Sequence, residues 1–319
     1  MTVLITGGAG FIGSHISKKL IDSGYKVIIV DNFNKYYDPL LKEDRIKIFL
    51  KGYKFKLYRV DITDFKNLKK IFQENKIDII CHQAAQAGVR YSLENPFIYE
   101  ETNLKGTLNL LELAKEFKVK KFIFASSSSV YGENKTPFQE DNKLFPVSLY
   151  GATKVSVEHL VYSYHKMYKL NATGLRYFTV YGPWGRPDMA YFKFTKNILE
   201  GKPIEIYGYG RIERDFTYID DIVEGTIKAI KKNYSFEIFN LGYGRPIKLN
   251  YLVNLIEKFL RKKAKKKYFG MQKGDVKKTC ADISKAKRML KWQPKVSIEE
   301  GIKKFVEWYN CYRKWQKEF

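Results

Sequence analysis

The sequence has few of the residues that build disulfide frameworks and metal sites. It contains only three cysteines in 319 residues, Cys81, Cys280 and Cys311, and four histidines. The cysteines are odd in number and far apart, and they form no Cys-x-x-Cys pair or Cys/His cluster, which argues against a structural zinc site. We therefore expect three reduced thiols, no disulfide and no bound metal.

Long apolar stretches are also missing. No run approaches the roughly 18 residues that a membrane-spanning helix needs, and the first residues show no signal-peptide pattern. Aromatic residues at 16% and charged residues at 29% exclude a disordered or low-complexity chain. These features predict a cytoplasmic protein with no membrane partner.

Acidic residues are scarce relative to basic ones. Asp and Glu number 34 against 58 Lys and Arg, which gives a net charge of +24 and a dense basic run at residues 261–278. Such a surface attracts anions, including nucleic acids and phosphorylated metabolites. Because no nucleic-acid-binding motif accompanies the charge, we interpret it as a solvated lysine-rich surface and predict no nucleic-acid partner. A basic nucleic-acid binder remains the competing hypothesis.

Short apolar runs alternate with helix-like segments through the first half of the chain. The predicted strands are residues 2–6, 26–30, 55–60, 78–82, 121–125 and 172–177, and the predicted helices are 11–23, 64–74, 96–117 and 149–168. This order predicts an α/β protein with a Rossmann-type, doubly wound parallel sheet covered by helices on both faces.

The alternation breaks near residue 180. Beyond it we predict short strands at 205–207 and 237–241 and helices near 220–231, 250–262 and 298–315. The sequence therefore predicts a dinucleotide-binding domain at residues 1–180 and a smaller C-terminal α/β substrate lobe at residues 181–319.

A glycine-rich turn joins the first strand to the first helix. Gly7, Gly10 and Gly13 have G-x-x-G-x-x-G spacing, which lets the backbone approach a pyrophosphate at the helix N-terminus. Asp31 ends the next strand, 18 residues beyond Gly13, near the distance of about 20 expected for a carboxylate that binds the adenosine ribose. This carboxylate would repel a 2′-phosphate, so the pattern favours NAD over NADP.

Two later strand ends extend the predicted dinucleotide site. Asp61 and Ile62 follow the third strand, where an adenine edge would lie, and the small residues of Ala84-Ala85-Gln86 follow the fourth. The predicted cofactor-binding set is Gly7, Gly10, Phe11, Ile12, Gly13, Asp31, Asn32, Asp61, Ile62, Ala84, Ala85, Gln86, Tyr150, Lys154 and Tyr177.

Tyr150 and Lys154 have the i, i+4 spacing that places two side chains on one helix face. A phenol with a pKa of about 10 is a poor base at neutral pH, but a nearby ammonium group favours the phenolate. We therefore predict Tyr150 as a general base. The hydroxyl-rich run Ser126–Ser129 follows the fifth strand, at the sheet edge where such folds bind ligands. We expect one or two of these serines to cap their own turn.

The glycine turn, Asp31, Ser127 and the Tyr150/Lys154 pair resemble the extended short-chain dehydrogenase/reductase superfamily, and the resemblance covers essentially the whole chain. Residues 214–221 resemble the stretch that clamps a nucleotide diphosphate in that superfamily, and residues 274–276 and 281–286 resemble its last sugar-nucleotide segment. The resemblance implies a nucleotide-sugar substrate.

Three segments are similar to UDP-glucuronate 4-epimerases: residues 83–90, the four-serine run and residues 181–190. This similarity implies an NAD-dependent isomerase that converts UDP-glucuronate to UDP-galacturonate through a transient 4-keto sugar, with Tyr150, Lys154 and Ser127 as catalytic residues. It also implies a homodimer built from the helices at 96–117 and 149–168. The implied substrate-binding set is Arg90, Ser127, Ser128, Ser129, Thr179, Arg186, Arg214 and Gln272.

Several alternatives stay open at this point. Ser128, Ser129 and Thr179 are candidate partners of the substrate carboxylate, whereas Arg90 and Arg186 could serve the carboxylate, the diphosphate or a structural ion pair. Many relatives have an arginine before the Gly-Asp near residue 274, but this chain has Gln272 and Lys273 there.

Other reactions on the same fold remain alternatives. Dehydratase relatives place an acidic pair at the positions of Ser128 and Ser129, which argues against dehydration. UDP-glucuronate decarboxylation, C5 epimerisation, 4-epimerisation of UDP-glucose or UDP-N-acetylglucosamine, and a non-catalytic NAD-sensing role are the other candidates.

Overall fold

The computed structural model of the chain describes residues 1–318. Its strands are β1 (Thr2–Thr6), β2 (Lys26–Val30), β3 (Lys56–Tyr58), β4 (Ile79–His82), β5 (Lys121–Ser127), β6 (Asn171–Tyr177), β7 (Thr179–Tyr181), β8 (Pro203–Ile206), β9 (Glu213–Arg214), β10 (Phe216–Tyr218), β11 (Phe236–Leu241), β12 (Ile247–Lys248) and β13 (Lys265–Tyr268). Its α-helices are α1 (Phe11–Asp22), α2 (Leu40–Asp44), α3 (Phe65–Glu74), α4 (Tyr91–Glu94), α5 (Pro96–Tyr99), α6 (Gly106–Glu116), α7 (Leu149–Tyr168), α8 (Ala190–Leu199), α9 (Ile219–Lys231), α10 (Leu249–Leu260), α11 (Ser284–Leu290) and α12 (Ile298–Glu318).

Seven strands form one parallel sheet in the order β3-β2-β1-β4-β5-β6-β11. The chain moves outward in one direction from β1 to β3 and in the other from β4 onward, so the order reverses between β1 and β4. A crevice opens at such a reversal, outside the carboxyl ends of the strands. The predicted doubly wound α/β fold is confirmed.

The sheet is buried on both faces because its central strands are apolar at consecutive positions. In β1, Val3 and Ile5 belong to one core cluster and Leu4 to the cluster on the opposite face. Side chains alternate between the faces of a strand, so a continuous apolar run fills both layers at once. The four-residue strand β4 is likewise wholly buried.

The C-terminal segment returns to this sheet. Strand β11 pairs with β6 in parallel register and completes the sheet at its edge. The other C-terminal strands form two-stranded sheets, β10 with β7, β12 with β9 and β13 with β8. A division of the chain at residue 180 remains a prediction, and it would assign one strand of the central sheet to the second lobe.

Several elements differ from the sequence expectation. The expected helix at 96–117 consists of α5, a wider π-helical turn at Glu100–Lys105 and α6. Helices α2, α4, α8 and α11 and strands β7, β9, β10 and β12 were not predicted, and the basic run at 261–278 includes the exposed strand β13. Helices α2 and α11 have five and seven residues, too few to show a helical period, and β13 has no apolar alternation. No helix within residues 1–318 is long and apolar enough to cross a bilayer.

Candidate active site

A cleft of about 950 Å³ runs along the carboxyl ends of the central strands and on toward the C-terminal segment. The glycine turn lies at one end, and Tyr207, Arg214 and Asp275 lie along the part formed by C-terminal residues. Every residue of the predicted cofactor and substrate sets lines this cleft except Asp61 and Gln272. The fold therefore gathers nearly all of the predicted site into one continuous groove.

The glycine turn leaves no space for side chains. Gly7 has φ +66°, and a Cβ there would lie 2.8 Å from the backbone of Ala84. A Cβ on Gly13 would lie 2.2 Å from the carbonyl oxygen of Gly7. Helix α1 starts after Gly10 without a side-chain cap, so its first N–H groups remain available to an anion. This cradle fits a pyrophosphate.

Asp31 is fixed beside the turn by two backbone hydrogen bonds. Its Oδ2 accepts from the Ala9 N–H at 3.1 Å and its Oδ1 from the Phe33 N–H at 2.8 Å. Each carboxylate oxygen has a second acceptor site, which can take a ribose hydroxyl.

Asp61 was predicted as a contact of the cofactor, but it does not line the cleft. Its Oδ2 accepts from Asn32 Nδ2 at 2.6 Å, and its Oδ1 accepts from the backbone and hydroxyl of Thr63 at 2.8 Å each. These bonds fix the position of the carboxylate, and Asp61 in turn holds the cleft residue Asn32 in place. Its neighbour Ile62 does line the cleft.

Two buried amide atoms at the end of β4 have no hydrogen-bond partner within the described chain, Gln83 Oε1 and Gln86 Nε2. Both side chains belong to cleft-lining residues, and a buried polar group without a partner is costly. A polar ligand in the cleft would satisfy them, as a dinucleotide on the glycine turn can. Gln83 was not in the predicted cofactor set, although it directly precedes Ala84.

Helix α7 brings Tyr150 and Lys154 to the middle of the cleft. Ser148 starts the helix by accepting a hydrogen bond from the Gly151 N–H at 3.1 Å. Lys154 Nζ lies 6.0 Å from the centroid of the Tyr150 ring and donates to the Ala125 carbonyl oxygen at 2.9 Å. The predicted pair therefore shares one helix face and meets the end of β5.

Burial shifts both groups toward their neutral forms. It raises the pKa of Tyr150, although the hydrogen bond with Ser127 and the positive charge of Arg186 oppose the rise. Burial lowers the pKa of Lys154 to about 8, and the Glu158 carboxylate counteracts part of this change. A phenol in this environment needs help from positive charge before it can act as a base.

The first two serines of the run make structural hydrogen bonds, whereas Ser128 and Ser129 line the cleft. Ser126 is buried and donates to Glu158 Oε1 at 2.5 Å. Ser127 Oγ accepts from the Ser129 N–H at 3.1 Å, which caps the following turn. Its hydroxyl also lies close enough to Tyr150 to oppose the rise of the pKa of that phenol. Ser128 and Ser129 line the cleft, as does Thr179 at the start of β7. Ser127 thus caps its own turn, as expected for one or two of the four serines.

The cleft's arginines occupy two separate places. Arg186 forms an ion pair with Asp188 close enough to Tyr150 to affect its pKa. Arg90 and Arg214 both face Asp275, with N–O distances of 3.6 Å each. The Arg90 guanidinium also lies 4.5 Å from the centroid of Tyr207. Arg186 therefore belongs to the part of the cleft around Tyr150, and Arg90 and Arg214 belong to the part formed by C-terminal residues.

The sequence interpretation did not assign Asp275 or Asp188 a role. The sequence around Asp275 and Asp188 does not indicate their roles. Each role depends on the arginine that the carboxylate contacts in the folded chain. Gln272, the arginine replacement noted in the sequence, lies outside the lining of the cleft. Within residues 1–318, no group of three or more His, Cys, Asp or Glu side chains is placed to hold a metal ion.

Residues 3–242 match the NAD dependent epimerase/dehydratase family. The chain belongs to this family. The match spans the glycine turn, the serine run, the Tyr150/Lys154 pair and the last strand of the central sheet. The family resemblance inferred from the sequence is confirmed.

Individual members of this epimerase/dehydratase family are similar to the chain over nearly its full length. A UDP-glucuronate 4-epimerase of Thermodesulfobacterium geofontis is 52% identical, over 96% of this chain and 95% of its own. The crystal structure of the UDP-glucuronic acid 4-epimerase of Bacillus cereus, in complex with UDP-glucuronic acid and NAD, superposes with a TM-score of 0.93 at 40% identity, over 98% of this chain and 100% of that one. A UDP-glucose 4-epimerase of Thermotoga maritima, with UDP-glucose, superposes with a TM-score of 0.88 at 37% identity, over 98% and 100%.

Proposed function

We propose that the chain is an NAD-dependent UDP-glucuronate 4-epimerase, an isomerase that interconverts UDP-glucuronate and UDP-galacturonate. The observation that carries this proposal is the lining of the cleft, which includes the hydroxyl groups of Ser128, Ser129 and Thr179 together with Tyr150. The Arg186 guanidinium also lines it and lies close enough to Tyr150 to oppose the rise of its pKa. A neutral hexose offers no charge for this cation, whereas a hexuronate has a carboxylate next to the reacting carbon. The relatives from T. geofontis and B. cereus act on this same substrate by name.

The residues at the glycine-turn end would hold NAD. The first turn of α1 would bind the pyrophosphate, Asp31 would accept hydrogen bonds from the ribose, and Gln83 and Gln86 would find partners for their buried amides. When bound, NAD supplies the acceptor for the hydride from C4 and the donor that returns it.

Tyr150 would take the proton of the C4 hydroxyl. Ser127, which lies close enough to Tyr150 to affect its pKa, would donate a hydrogen bond to the same substrate oxygen. Lys154 would supply the positive charge that favours the phenolate and would bond a ribose hydroxyl. If the 4-keto sugar rotates in the cleft, it can then be reduced on its other face, which inverts the configuration at C4.

The hydroxyl groups near Tyr150 would protect the intermediate. A 4-keto hexuronate is a β-keto acid, and it loses CO2 when the C5–carboxylate bond aligns with the carbonyl π system. Ser128, Ser129 and Thr179 line the cleft and can hold the carboxylate out of that alignment by donating hydrogen bonds. Dehydration would need acidic groups where Ser128 and Ser129 stand.

The C-terminal end of the cleft would bind the diphosphate. Arg90 and Arg214 converge on Asp275, which keeps two guanidinium groups near each other despite their repulsion. Each N–O distance is 3.6 Å, so both arginines retain donors for phosphate oxygens. We assign Arg186 to the sugar and Arg90 with Arg214 to the diphosphate. Gln272 does not line the cleft, and its role stays a prediction from the sequence.

We further propose a homodimer through the face of α5 and α6 that is directed away from the sheet, together with α7. Phe97 is 84% exposed, and Ile98 and Leu108 are also exposed on the same helical path. Exposed apolar residues grouped on one face mark an interaction surface. A mass near that of the 37.5 kDa monomer in light scattering would contradict the dimer. The cytoplasmic location remains a prediction from the sequence.

Incubation of the purified protein with UDP-glucuronate and NAD, without added reductant, tests the activity. NMR of the products should show UDP-galacturonate at equilibrium with the substrate. A UDP-pentose would instead indicate the decarboxylase, and turnover of UDP-glucose or UDP-N-acetylglucosamine alone would indicate a neutral-sugar epimerase.

A further inference from the structure

Arg186 is held by a carboxylate and a phenol that are both cleft-lining groups. Its Nε lies 2.9 Å from Asp188 Oδ1 and its Nη2 lies 2.5 Å from Asp188 Oδ2. Tyr36 donates its hydroxyl to the same Asp188 Oδ2 at 3.2 Å. The Arg186 guanidinium also lies 5.8 Å from the centroid of the Tyr36 ring. These three side chains form one unit that comes from two distant parts of the chain.

The pairing with Asp188 uses only one edge of the guanidinium. Asp188 engages the edge that carries Nε and Nη2, and a guanidinium has five N–H donors in a fixed plane. The Nη1 group and the second hydrogen of Nη2 therefore point along the remaining edge. Asp188 thus sets which donors Arg186 can offer to a ligand and in which plane they lie.

Tyr36 is itself closely confined. Its ring packs against Tyr91 with centroids 4.9 Å apart, and a Cβ on Gly88 would lie 2.5 Å from its hydroxyl oxygen. Gly88 has φ +103°, a conformation that glycine adopts without strain. The hydroxyl of Tyr36 therefore reaches Asp188 only because residue 88 has no side chain.

A second contact ties the same two parts of the chain together. The fully buried Arg45 donates from Nη2 to the carbonyl oxygen of Trp184 at 2.7 Å and to that of Gly185 at 3.1 Å. Its Nη1 donates to the Ala9 carbonyl in the glycine turn at 3.2 Å. Trp184 has φ +61°, an uncommon conformation for a bulky residue. The segment after β2 thus fixes both the backbone before Arg186 and the carboxylate that orients it.

We propose that Tyr36 and Asp188 are positioning residues that set the selectivity of the cleft for an acidic sugar, by holding the free edge of Arg186 toward the substrate carboxylate. This inference rests on the proposed function, because it assumes that Arg186 binds the carboxylate of a hexuronate substrate. The inference adds that the preference for an acidic sugar over a neutral one depends on Tyr36, which lies in the segment after β2. Neither residue exchanges a proton with the substrate.

A pair of ligands isolates this discrimination. UDP-xylose lacks only the C5 carboxylate of UDP-glucuronate, so the ratio of their dissociation constants measures recognition of that group. Calorimetry would be carried out on NAD-loaded protein carrying Tyr150→Phe, which prevents turnover during the titration. The tested variants are Tyr36→Phe and Asp188→Asn, and the matched control is Tyr234→Phe, whose hydroxyl donates to the Met289 carbonyl outside the cleft.

Tyr36→Phe should reduce the preference for UDP-glucuronate about tenfold, as expected for a lost hydrogen bond to a charged group. Its affinities for UDP-xylose and NAD should stay within about twofold. Asp188→Asn should reduce the preference as well, because one amide oxygen cannot hold both Nε and Nη2. Tyr234→Phe should leave the preference unchanged.

The inference is overturned if Tyr36→Phe keeps the full preference. If that variant does not fold, as judged by loss of NAD binding, Asp188→Asn decides. An unchanged or increased preference in Asp188→Asn would mean that the carboxylate competes with the substrate and does not position Arg186. If the NAD-loaded Tyr150→Phe protein, before any further change, binds UDP-xylose as tightly as UDP-glucuronate, the proposed substrate is overturned. That result is distinct from a failure of the positioning role of Tyr36 and Asp188.

Discussion

Lys154 is hydrogen-bonded to the carbonyl oxygen of Ala125, which ties helix α7 to the strand that carries the serine run. The Nζ–O distance is 2.9 Å. One helical turn later, Glu158 receives hydrogen bonds from Ser126 and from two nitrogens of Arg176. The next residue after Ser126 is Ser127, so the same contacts fix the distance between Ser127 and Tyr150. The geometry of the proposed base thus depends on polar groups buried behind it.

Removal of the Tyr150 hydroxyl should stop chemistry and preserve binding. Tyr150→Phe keeps the ring and its packing against Tyr99, whose centroid is 6.2 Å away. Loss of a general base lowers rates by about 10²–10⁴-fold, so turnover of UDP-glucuronate should fall by that factor while its dissociation constant changes little. Near-normal turnover in this variant would assign the base to another group. Tyr234→Phe is the control for the loss of a tyrosine hydroxyl elsewhere.

Lys154 should make a pH-dependent contribution to stability. Burial lowers its pKa from the ordinary value to about 8 in the folded protein. The unfolded chain therefore binds the Lys154 proton more tightly than the folded chain does. The resulting loss of stability is complete below about pH 8. Stability should rise as the pH increases from about 8 toward 10.5, at up to about 1.4 kcal/mol for each pKa unit of the shift.

Urea denaturation of wild type and Lys154→Met at several pH values measures this effect. The free energy of unfolding of the variant should exceed that of wild type most at pH 7, and the difference should shrink as the pH rises through 8–10. A constant difference over this range would show that Lys154 does not titrate as described. Lys154→Met should also weaken NAD binding.

Glu158 should be needed for stability because it neutralises a buried cation. Its pair with Arg176 has exposed side-chain fractions of only 6% and 4%. Removal of one partner from a buried ion pair costs about 3–5 kcal/mol, so Glu158→Gln should reduce the free energy of unfolding by that amount. The double variant Glu158→Gln, Arg176→Met should be less destabilised than the sum of the single variants. Additive effects in this double-mutant cycle would contradict the pairing.

Asp31 should determine the choice of dinucleotide. Its carboxylate is fixed by the Ala9 and Phe33 N–H groups and would repel a 2′-phosphate. Wild type should bind NAD much more tightly than NADP, and Asp31→Asn should reduce that preference about tenfold or more by removing the charge. Titration of nucleotide-free protein with each dinucleotide measures the ratio. A wild-type preference for NADP would overturn this assignment.

Ser128 and Ser129 should suppress decarboxylation. The double change Ser128→Ala, Ser129→Ala removes two of the three hydroxyls that we assign to the substrate carboxylate. If they restrain it by about 1.4 kcal/mol, the fraction of turnovers that release CO2 should rise about tenfold. NMR of UDP-pentose against UDP-galacturonate measures this partition. A double variant that makes no more pentose than wild type would exclude these serines as the restraint.

Features that depend on local sequence were predictable. The glycine turn, the apolar strands and the i, i+4 pair on α7 each have a spacing that dictates their structure, and they lie where the sequence placed them. The carboxyl ends of parallel strands meet at one edge, so residues as distant as Asp31 and Ser127 could be assigned to one cleft.

Contacts between distant segments were not predictable. Arg45 donates hydrogen bonds to the carbonyl groups of Trp184 and Gly185, 139 and 140 positions away. No rule of sequence spacing predicts such a contact. Asp61 has the expected position at a strand end, but no spacing rule indicates its hydrogen bond with the distant Asn32. The exposed strand β13 was hidden because its composition, Lys-Lys-Lys-Tyr, has no apolar alternation.

Reaction of UDP-glucuronate in D2O, followed by NMR, shows whether C4 is inverted by internal transfer of its own hydrogen. The proposed mechanism moves the C4 hydrogen as a hydride within the closed cleft and leaves C5 untouched. UDP-galacturonate should therefore form with no solvent deuterium at C4 or C5. Deuterium at C5 would indicate a C5 epimerase, and a UDP-pentose as the main product would indicate a decarboxylase; either result would contradict the account.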